Sequence, residues 1–209
     1  TGSNDIVISY SNPKIMYTSM WENNPGISGE NSGIYKSDDG GDTWNKLENG
    51  LPYGPKMGRI GLAVSYSNPN KVYALIDNLS KKRNEAAEVY QTIDGGKSWK
   101  NKGLKKSEHI GKILVDPRNS SVVYTASMGP LWSSGGERGL YKSTDGGDSW
   151  NRILHIDEYT GISDIVFDPK NPDVIYAAAQ QRMRHVFTYI GGGPGSGIHK
   201  STDGGKTWK

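Results

Sequence analysis

Four carboxyl groups, Asp77, Glu137, Asp157 and Glu158, fall in stretches of this chain that also carry tryptophan, tyrosine and arginine. Glycoside hydrolysis needs two carboxyls flanking the scissile bond, about 5 Å apart for retention and about 6.5–9.5 Å for inversion. These four are the catalytic candidates, and no spacing among them singles out a pair. Trp21, Trp132, Tyr159 and Tyr189 offer flat faces for sugar rings or peptide side chains. Arg138, Arg182 and Arg184 offer guanidinium forks for carboxylates. His185 completes the ligand-binding candidates, and Glu22 lies beside Trp21. A plainer role, bracing long loops, competes for each of them.

Several other chemistries find no footing. There is no cysteine, so neither a disulfide framework nor a thiolate metal site can form. The four histidines are not paired at ligand spacing, which argues against zinc. Gly192 and Gly197 have the four-residue gap of a phosphate loop, but Ile198 stands where that loop requires lysine and no helix pattern follows. Asp38, Asp39 and Asp42 have calcium-ligand chemistry, although a tight hairpin already uses the same pattern; the expectation is no cofactor, with calcium at these turns as the alternative. The basic stretch Lys97–Lys112 reads as a solvated strand and loop without an aromatic platform, and no nucleic-acid partner is expected. No apolar run approaches the roughly 20 residues of a membrane span. The formal net charge is +3, from 25 basic and 22 acidic residues.

The elements that position these groups announce themselves by repetition. One octapeptide occurs four times: Ser37-Asp-Asp-Gly-Gly-Asp-Thr-Trp44, Thr92-Ile-Asp-Gly-Gly-Lys-Ser-Trp99, Ser143-Thr-Asp-Gly-Gly-Asp-Ser-Trp150 and Ser201-Thr-Asp-Gly-Gly-Lys-Thr-Trp208, with starts 55, 51 and 58 residues apart. Asp39, Asp94, Asp145 and Asp203 suit Asx-type turns. Gly41, Gly96, Gly147 and Gly205, each after another glycine, supply positive φ, and the closing Trp is an apolar anchor. In step with the octapeptide come short apolar runs stopped by Asn/Asp/Pro clusters, and four residues after each turn a tyrosine: Tyr17, Tyr73, Tyr124 and Tyr176. Inner strand, turn, Tyr-bearing strand, variable loop, third strand, octapeptide and short outer strand make one unit per roughly 50 residues, a propeller blade. A sandwich of irregular strands leaves this register unexplained.

The octapeptides resemble the Asp-box, or bacterial neuraminidase repeat, Ser/Thr-x-Asp-x-Gly-x-Thr/Ser-Trp. The resemblance implies a structural role for Ser37, Asp39, Thr92, Asp94, Ser143, Asp145, Ser201, Asp203 and their partners, on the face away from any active site. Glu137–Gly147, Gly191–Ile198, Leu51–Pro55 and Gly58–Val64 look like segments of exported bacterial repeat proteins of the sortilin-like, glycosyl-hydrolase-like class. The sialidase signature Arg-Ile-Pro is absent, since Gly61 follows Arg59-Ile60.

The expectation is therefore an all-β propeller segment of about four four-stranded blades with Asp-box hairpins, over 1–209, within a larger propeller of seven or eight blades. The blades run approximately 1–57, 58–109, 110–160 and 161–209, the last incomplete. Opening at Thr1 without methionine or signal peptide, the chain reads as a processed product or an excerpt. Loops 22–32, 77–87, 128–138 and 180–196, with 51–57, 103–109 and 154–161, share the face opposite the octapeptides. The expected partners are the remaining blades or a second copy, and a protein, peptide or glycan ligand. The expected location is secreted, periplasmic or on the bacterial surface. A non-catalytic binding or scaffold propeller leads, with a xyloglucanase-like glycoside hydrolase as the alternative.

Overall fold

The structure, a computed structural model, describes residues 2–24, 27–82 and 85–209, so parts of the 22–32 and 77–87 loops lie outside the described residues. It is a series of four antiparallel sheets. The first contains β1 (Gly2–Ile8) and β2 (Met16–Trp21), then, after a small hairpin of β3 (Asn23–Asn24) and β4 (Ile27–Ser28), β5 (Gly33–Ser37) and β6 (Asn45–Leu47). The second contains β7 (Met57–Val64), β8 (Val72–Asn78), β9 (Ala87–Thr92) and β10 (Lys100–Asn101). The third contains β11 (Ile110–Val115), β12 (Val123–Ser127), β13 (Gly139–Ser143) and β14 (Asn151–Leu154). The fourth joins β15 (Thr160–Phe167) and β16 (Ile175–Gln181), then, past a hairpin of β17 (Met183–Arg184) and β18 (Tyr189–Ile190), β19 (Gly197–Ser201). Lys209 exchanges two backbone hydrogen bonds with Lys200, at 2.8 and 2.9 Å, on the free edge of β19. These are propeller blades: an all-β chain of three four-stranded sheets and one three-stranded sheet in meander order, with β1, β7, β11 and β15 innermost and in contact in sequence.

Each inner strand carries a bulge, between Ser3 and Asp5, Met57 and Ile60, Ile110 and Lys112, and Ile162 and Asp164. The bulge bends the strand and increases its twist, as inner blade strands need.

The core lies between sheets rather than within them. One cluster joins Tyr17 and Ile34 of the first blade to Val72, Ala74, Ile76 and Trp99 of the second. The next joins Tyr73, Leu75 and Val89 to Ile113 and Val123, and the third joins Tyr124 and Leu140 to Ile162, Ile165 and Ile175. Alternation along β8 explains this layout. Val72, Ala74 and Ile76 face backward and Tyr73 and Leu75 face forward, so a strand buried on both faces reads as a continuous apolar run. A chain with 33% hydrophobic residues can fill three such thin interfaces.

Tyrosine and tryptophan stitch the interfaces in opposite directions. Tyr17 donates its hydroxyl to the Pro69 carbonyl at 3.1 Å, Tyr73 to Ser120 at 3.1 Å and Tyr124 to Gly204 at 3.3 Å, each reaching the next blade. Tyr176 is only half-buried and no fifth sheet lies beyond it among the described residues. Tryptophans reach back: Trp99, Trp150 and Trp208 belong to the three clusters in order, while Trp44 belongs to none.

Candidate functional site

The octapeptides build four near-identical clasps. In the first, Ser37 Oγ donates to Asp39 Oδ1 at 2.7 Å and accepts from Gly41 N–H at 2.9 Å, while Thr43 donates to Asp39 through both its N–H, at 3.0 Å, and its hydroxyl, at 2.5 Å. The same bonds recur around Asp94, Asp145 and Asp203. Gly40 and Gly41 adopt φ of +89° and +103°, which Cβ-bearing residues avoid. The first glycine of each clasp donates its N–H to the 1–2 turn of its own blade, at Lys14, Asn70, Ser121 and Asp173, so clasps and turns share one face. A hydroxyl and N–H donors hold each carboxylate well below the ordinary range, to about 2 for Asp94 through Ser98 first and Thr92 next. Asp39, Asp145 and Asp203 are depressed in the same sense by Thr43, Ser149 and Thr207. Carboxylates this committed to local donors are structural.

The opposite face holds a cavity of about 580 Å³ at the ends of the inner strands. Its lining includes Trp21, Arg59, Asp77, Glu108, His109, Lys112 and Arg182, contributed by all four blades and the connections between them. Two of the sequence candidates for ligand contact, Trp21 and Arg182, and one catalytic candidate, Asp77, meet here. Trp21 Nε1 donates to Ser28 Oγ at 3.0 Å and its ring lies 5.5 Å from the Arg59 guanidinium. Asp5, also in the wall, accepts from Ile6 and Leu62 N–H at 2.9 and 2.8 Å and joins the first two inner strands.

Glu108 is the unusual residue of this wall. It is 4% exposed and adopts φ 55°, ψ −45°, with His109 N–H donating to the Ser107 carbonyl at 2.5 Å. That is a γ-turn of the strained hand, and non-glycine residues held in such a region concentrate at functional sites. Sequence reasoning missed Arg59, Glu108, His109 and Lys112. The only available signal was an acid and a histidine ending the otherwise basic 103–109 connection.

The remaining candidates divide into braces and exposed groups. Arg138, expected among ligand contacts, is fully buried; its guanidinium donates to Met128 at 2.6 Å, to Ser133 at 2.9 Å and to Pro130, holding the 128–138 loop. Glu137 accepts from Lys106 N–H at 2.8 Å and Ser107 Oγ at 3.3 Å, so this catalytic candidate ties its loop to the preceding connection. Asp157 caps its own turn, accepting from Tyr159 N–H at 2.7 Å and Thr160 Oγ1 at 3.0 Å. Partial burial pushes the Asp157 carboxyl up, but these donors outweigh it and leave it low. Glu22 likewise accepts from the Asn31 N–H at 3.2 Å. None of these carboxylates lines the cavity. Glu158 and Tyr159 are exposed beside it in sequence, and Tyr189 and His185 are exposed on the β17–β18 hairpin. Arg184 lies 5.5 Å from the Trp132 ring, which is 44% exposed, and its N–H donates to the Leu131 carbonyl. Two arginine-backed tryptophans therefore stand on this face.

Comparison with known proteins places the chain. The model of the family Sortilin-Vps10 (Sortilin, neurotensin receptor 3) matches residues 87–209. The chain belongs to the Sortilin-Vps10 family. It is also 27% identical over 187 residues to a xyloglucanase of a Paenibacillus species, covering 87% of this chain and 15% of that protein. Among solved structures, the GH74 xyloglucanase of Xanthomonas campestris superposes with a TM-score of 0.69 at 17% identity, over 98% of this chain and 29% of that one. The GH74 enzyme of Niastella koreensis gives 0.63 at 22% identity, over 97% and 28%. These superpositions establish the propeller fold. This Sortilin-Vps10 chain spans less than a third of the length of each relative, so it corresponds to a portion of their larger propeller domains. No helix among its described residues is long and apolar enough to cross a membrane.

Proposed function

We propose that this chain is a polysaccharide-binding segment of a larger propeller in an exported bacterial protein, with Asp-box clasps as its scaffold. The observation that carries the reading is the pairing of two arginine-backed tryptophans with one cavity, lined by apolar and charged groups, on the face opposite the clasps. A pyranose presents apolar C–H faces to an indole and hydroxyls to the surrounding polar groups, and a ring stacked on a half-exposed Trp gains from both. Kinship with a xyloglucanase supports carbohydrate as the ligand class. The remaining blades are the expected protein partner, because the chain covers less than a third of each relative.

Binding rather than hydrolysis fits the carboxylates. Glu137 and Asp157 are spent on backbone donors. A hydrolytic reading retains one supporting fact, that Asp77 and Glu108 line the same cavity. Isothermal titration with xyloglucan oligosaccharides and mixed-linkage β-glucan separates the two. Saturable binding is expected, weakened roughly tenfold in Trp132→Ala by loss of one aromatic contact, with no release of reducing sugar. Hydrolysis abolished by Asp77→Asn and by Glu108→Gln would replace this reading with the enzymatic one. Absence of binding to every glycan tested would overturn both.

A further inference from the structure

A second concavity opens on the loop face, at the mouth of the interface between the first two blades. In the ladder of β8 and β9, Ala74 lies opposite Tyr90 and Ile76 opposite Glu88, so these four residues share the face turned toward the first blade. Ala74, Ile76 and Tyr90 bury there in the first core cluster. Glu88, with Asn78 one step further along the same row, emerges from that core as the floor of a groove of about 620 Å³. The groove walls carry Tyr53, Lys56, Lys81 and Lys105. A single 3₁₀ turn, Gly54–Lys56, shapes the first wall, with the Lys56 N–H donating to the Tyr53 carbonyl at 2.8 Å.

Glu88 is only 2% exposed, and a carboxylate withdrawn from water is costly unless it is hydrogen-bonded. Its Oε2 accepts from Asn78 Nδ2 and from the Tyr90 hydroxyl, each at 2.6 Å. Both donors are themselves fixed. Asn78 Oδ1 accepts from the Ser80 N–H at 3.1 Å and the Ser80 hydroxyl at 2.5 Å. Burial first, and Glu88 next, push the Tyr90 phenol up to about 12, so it stays a donor at neutral pH. The other oxygen, Oε1, takes no hydrogen bond or ion pair among the described residues, and it is open to the groove rather than sealed. The carboxylate is locked through one oxygen and presents the second.

We propose that this groove is a second saccharide subsite, which takes a neutral pyranose with Glu88 as its anchor and Tyr53 as its stacking surface. The inference rests on the polysaccharide reading above and adds a site to it. The mixture of groups decides the ligand class. An anion drawn by the three lysines would meet the Glu88 carboxylate at the floor, and a cation drawn by Glu88 would meet the lysines at the walls. A hydroxyl suits both, because it donates to a carboxylate oxygen and accepts from an ammonium at the same time. Hydrogen bonds to a carboxylate are charge-assisted and among the stronger ones. Tyr53 is 59% exposed and gives the C–H face of a sugar ring a flat apolar partner. The volume suits a ligand of sugar-ring size.

The test titrates a neutral xyloglucan oligosaccharide into the whole 209-residue chain and reads two signals. Tryptophan fluorescence reports the central cavity, which Trp21 lines, whereas no tryptophan lines the groove among the described residues. Hydrogen exchange read by mass spectrometry reports the groove walls, at 50–56 and 101–105. Both signals are expected to respond. Glu88→Gln should raise the ligand concentration needed to protect 50–56 roughly tenfold, the scale of one charge-assisted hydrogen bond. Tyr53→Ala should raise it by up to roughly tenfold through loss of one aromatic contact. The tryptophan signal should stay unchanged in both variants, with circular dichroism confirming the fold. Tyr53 is exposed, so Tyr53→Ala decides the matter even if Glu88→Gln does not fold. A tryptophan response without protection of 50–56, or protection that Tyr53→Ala leaves unchanged, would overturn the subsite and leave the polysaccharide reading standing. Stronger protection of 50–56 by oligogalacturonate or by a glucosamine oligomer would also overturn it, since net charge would then select the ligand. Absence of both signals with every glycan tested would overturn both readings.

Discussion

Replacing each clasp tryptophan by alanine tests whether the blades are coupled in one direction. Trp99 is 4% exposed and packs with Tyr17, Ile34 and Leu47 of the preceding blade. Its indole Nε1 is buried without a hydrogen-bond partner, so its contribution is apolar. Burying roughly 150–250 Å² at about 25 cal/mol/Å² gives an upper bound near 4–6 kcal/mol, and truncation series put Trp→Ala in cores at about 3–5 kcal/mol. Among the described residues no blade packs behind Trp44; it is half-buried and its Nε1 donates to its own clasp, at Gly41, at 2.9 Å. Its replacement should cost about 1 kcal/mol, the scale of one ordinary hydrogen bond. Trp208 lies in the third cluster with Ile153 and should exceed Trp44. Urea midpoints followed by near-ultraviolet circular dichroism, at unchanged m-value, give the order. Equal losses for Trp44→Ala and Trp99→Ala, or a loss below about 1 kcal/mol for Trp99→Ala, would refute backward packing.

The tyrosines should show the mirror-image order. Tyr17→Phe and Tyr73→Phe each remove a buried donor from a carbonyl of the next blade and should cost about 1–2 kcal/mol, whereas Tyr176→Phe should leave the urea midpoint unchanged. Arg138→Ala strips three loop carbonyls of their donor and should cost roughly 3 kcal/mol, with proteolysis appearing first in 128–138. The clasp carboxylates set the acid limit: their folded pKa values lie below the unfolded one, so their stabilisation is complete above about pH 4. It is lost as pH falls from there toward the folded value, about 2 for Asp94. Thermal melts should therefore be flat from pH 7 to about 5 and fall below about 4, and Asp94→Asn should flatten that fall.

The propeller was legible because its signals are local and repeated. A clasp needs Asp, two glycines and a hydroxyl within eight residues, and the second-strand tyrosine follows its turn at constant spacing, so register survives variation elsewhere. The cavity was not legible for the converse reason. Arg59, Glu108, Lys112 and Arg182 come from three blades and from connections of unequal length, and nothing in the spacing of 59, 108, 112 and 182 reports that they meet. The positive φ of Glu108 is equally silent, since glutamate gives no warning of it as glycine would. Arg138 and Glu137 misled because a charged pair in a long loop reads as surface, while the loop here folds onto the arginine and uses its donors internally.

The two sets of interface residues also define what the free edges are built to receive. In the first blade, Asp5 follows the inner-strand bulge and its Oδ2 accepts the Leu62 N–H of the second. Asp164 follows the equivalent bulge in the fourth blade, and its Oδ1 holds Ile165 N–H as Asp5 Oδ1 holds Ile6 N–H. Tyr176, under Lys200 at 5.2 Å, repeats Tyr124 under Lys142 at 5.1 Å. The forward edge therefore offers a carboxylate to an inner-strand N–H and a phenol to a turn carbonyl, while the rear edge offers Trp44. That directionality keeps the clasp face fixed and frees the opposite loops to vary, which is why the chemistry of this chain gathers where its sequence repeats least.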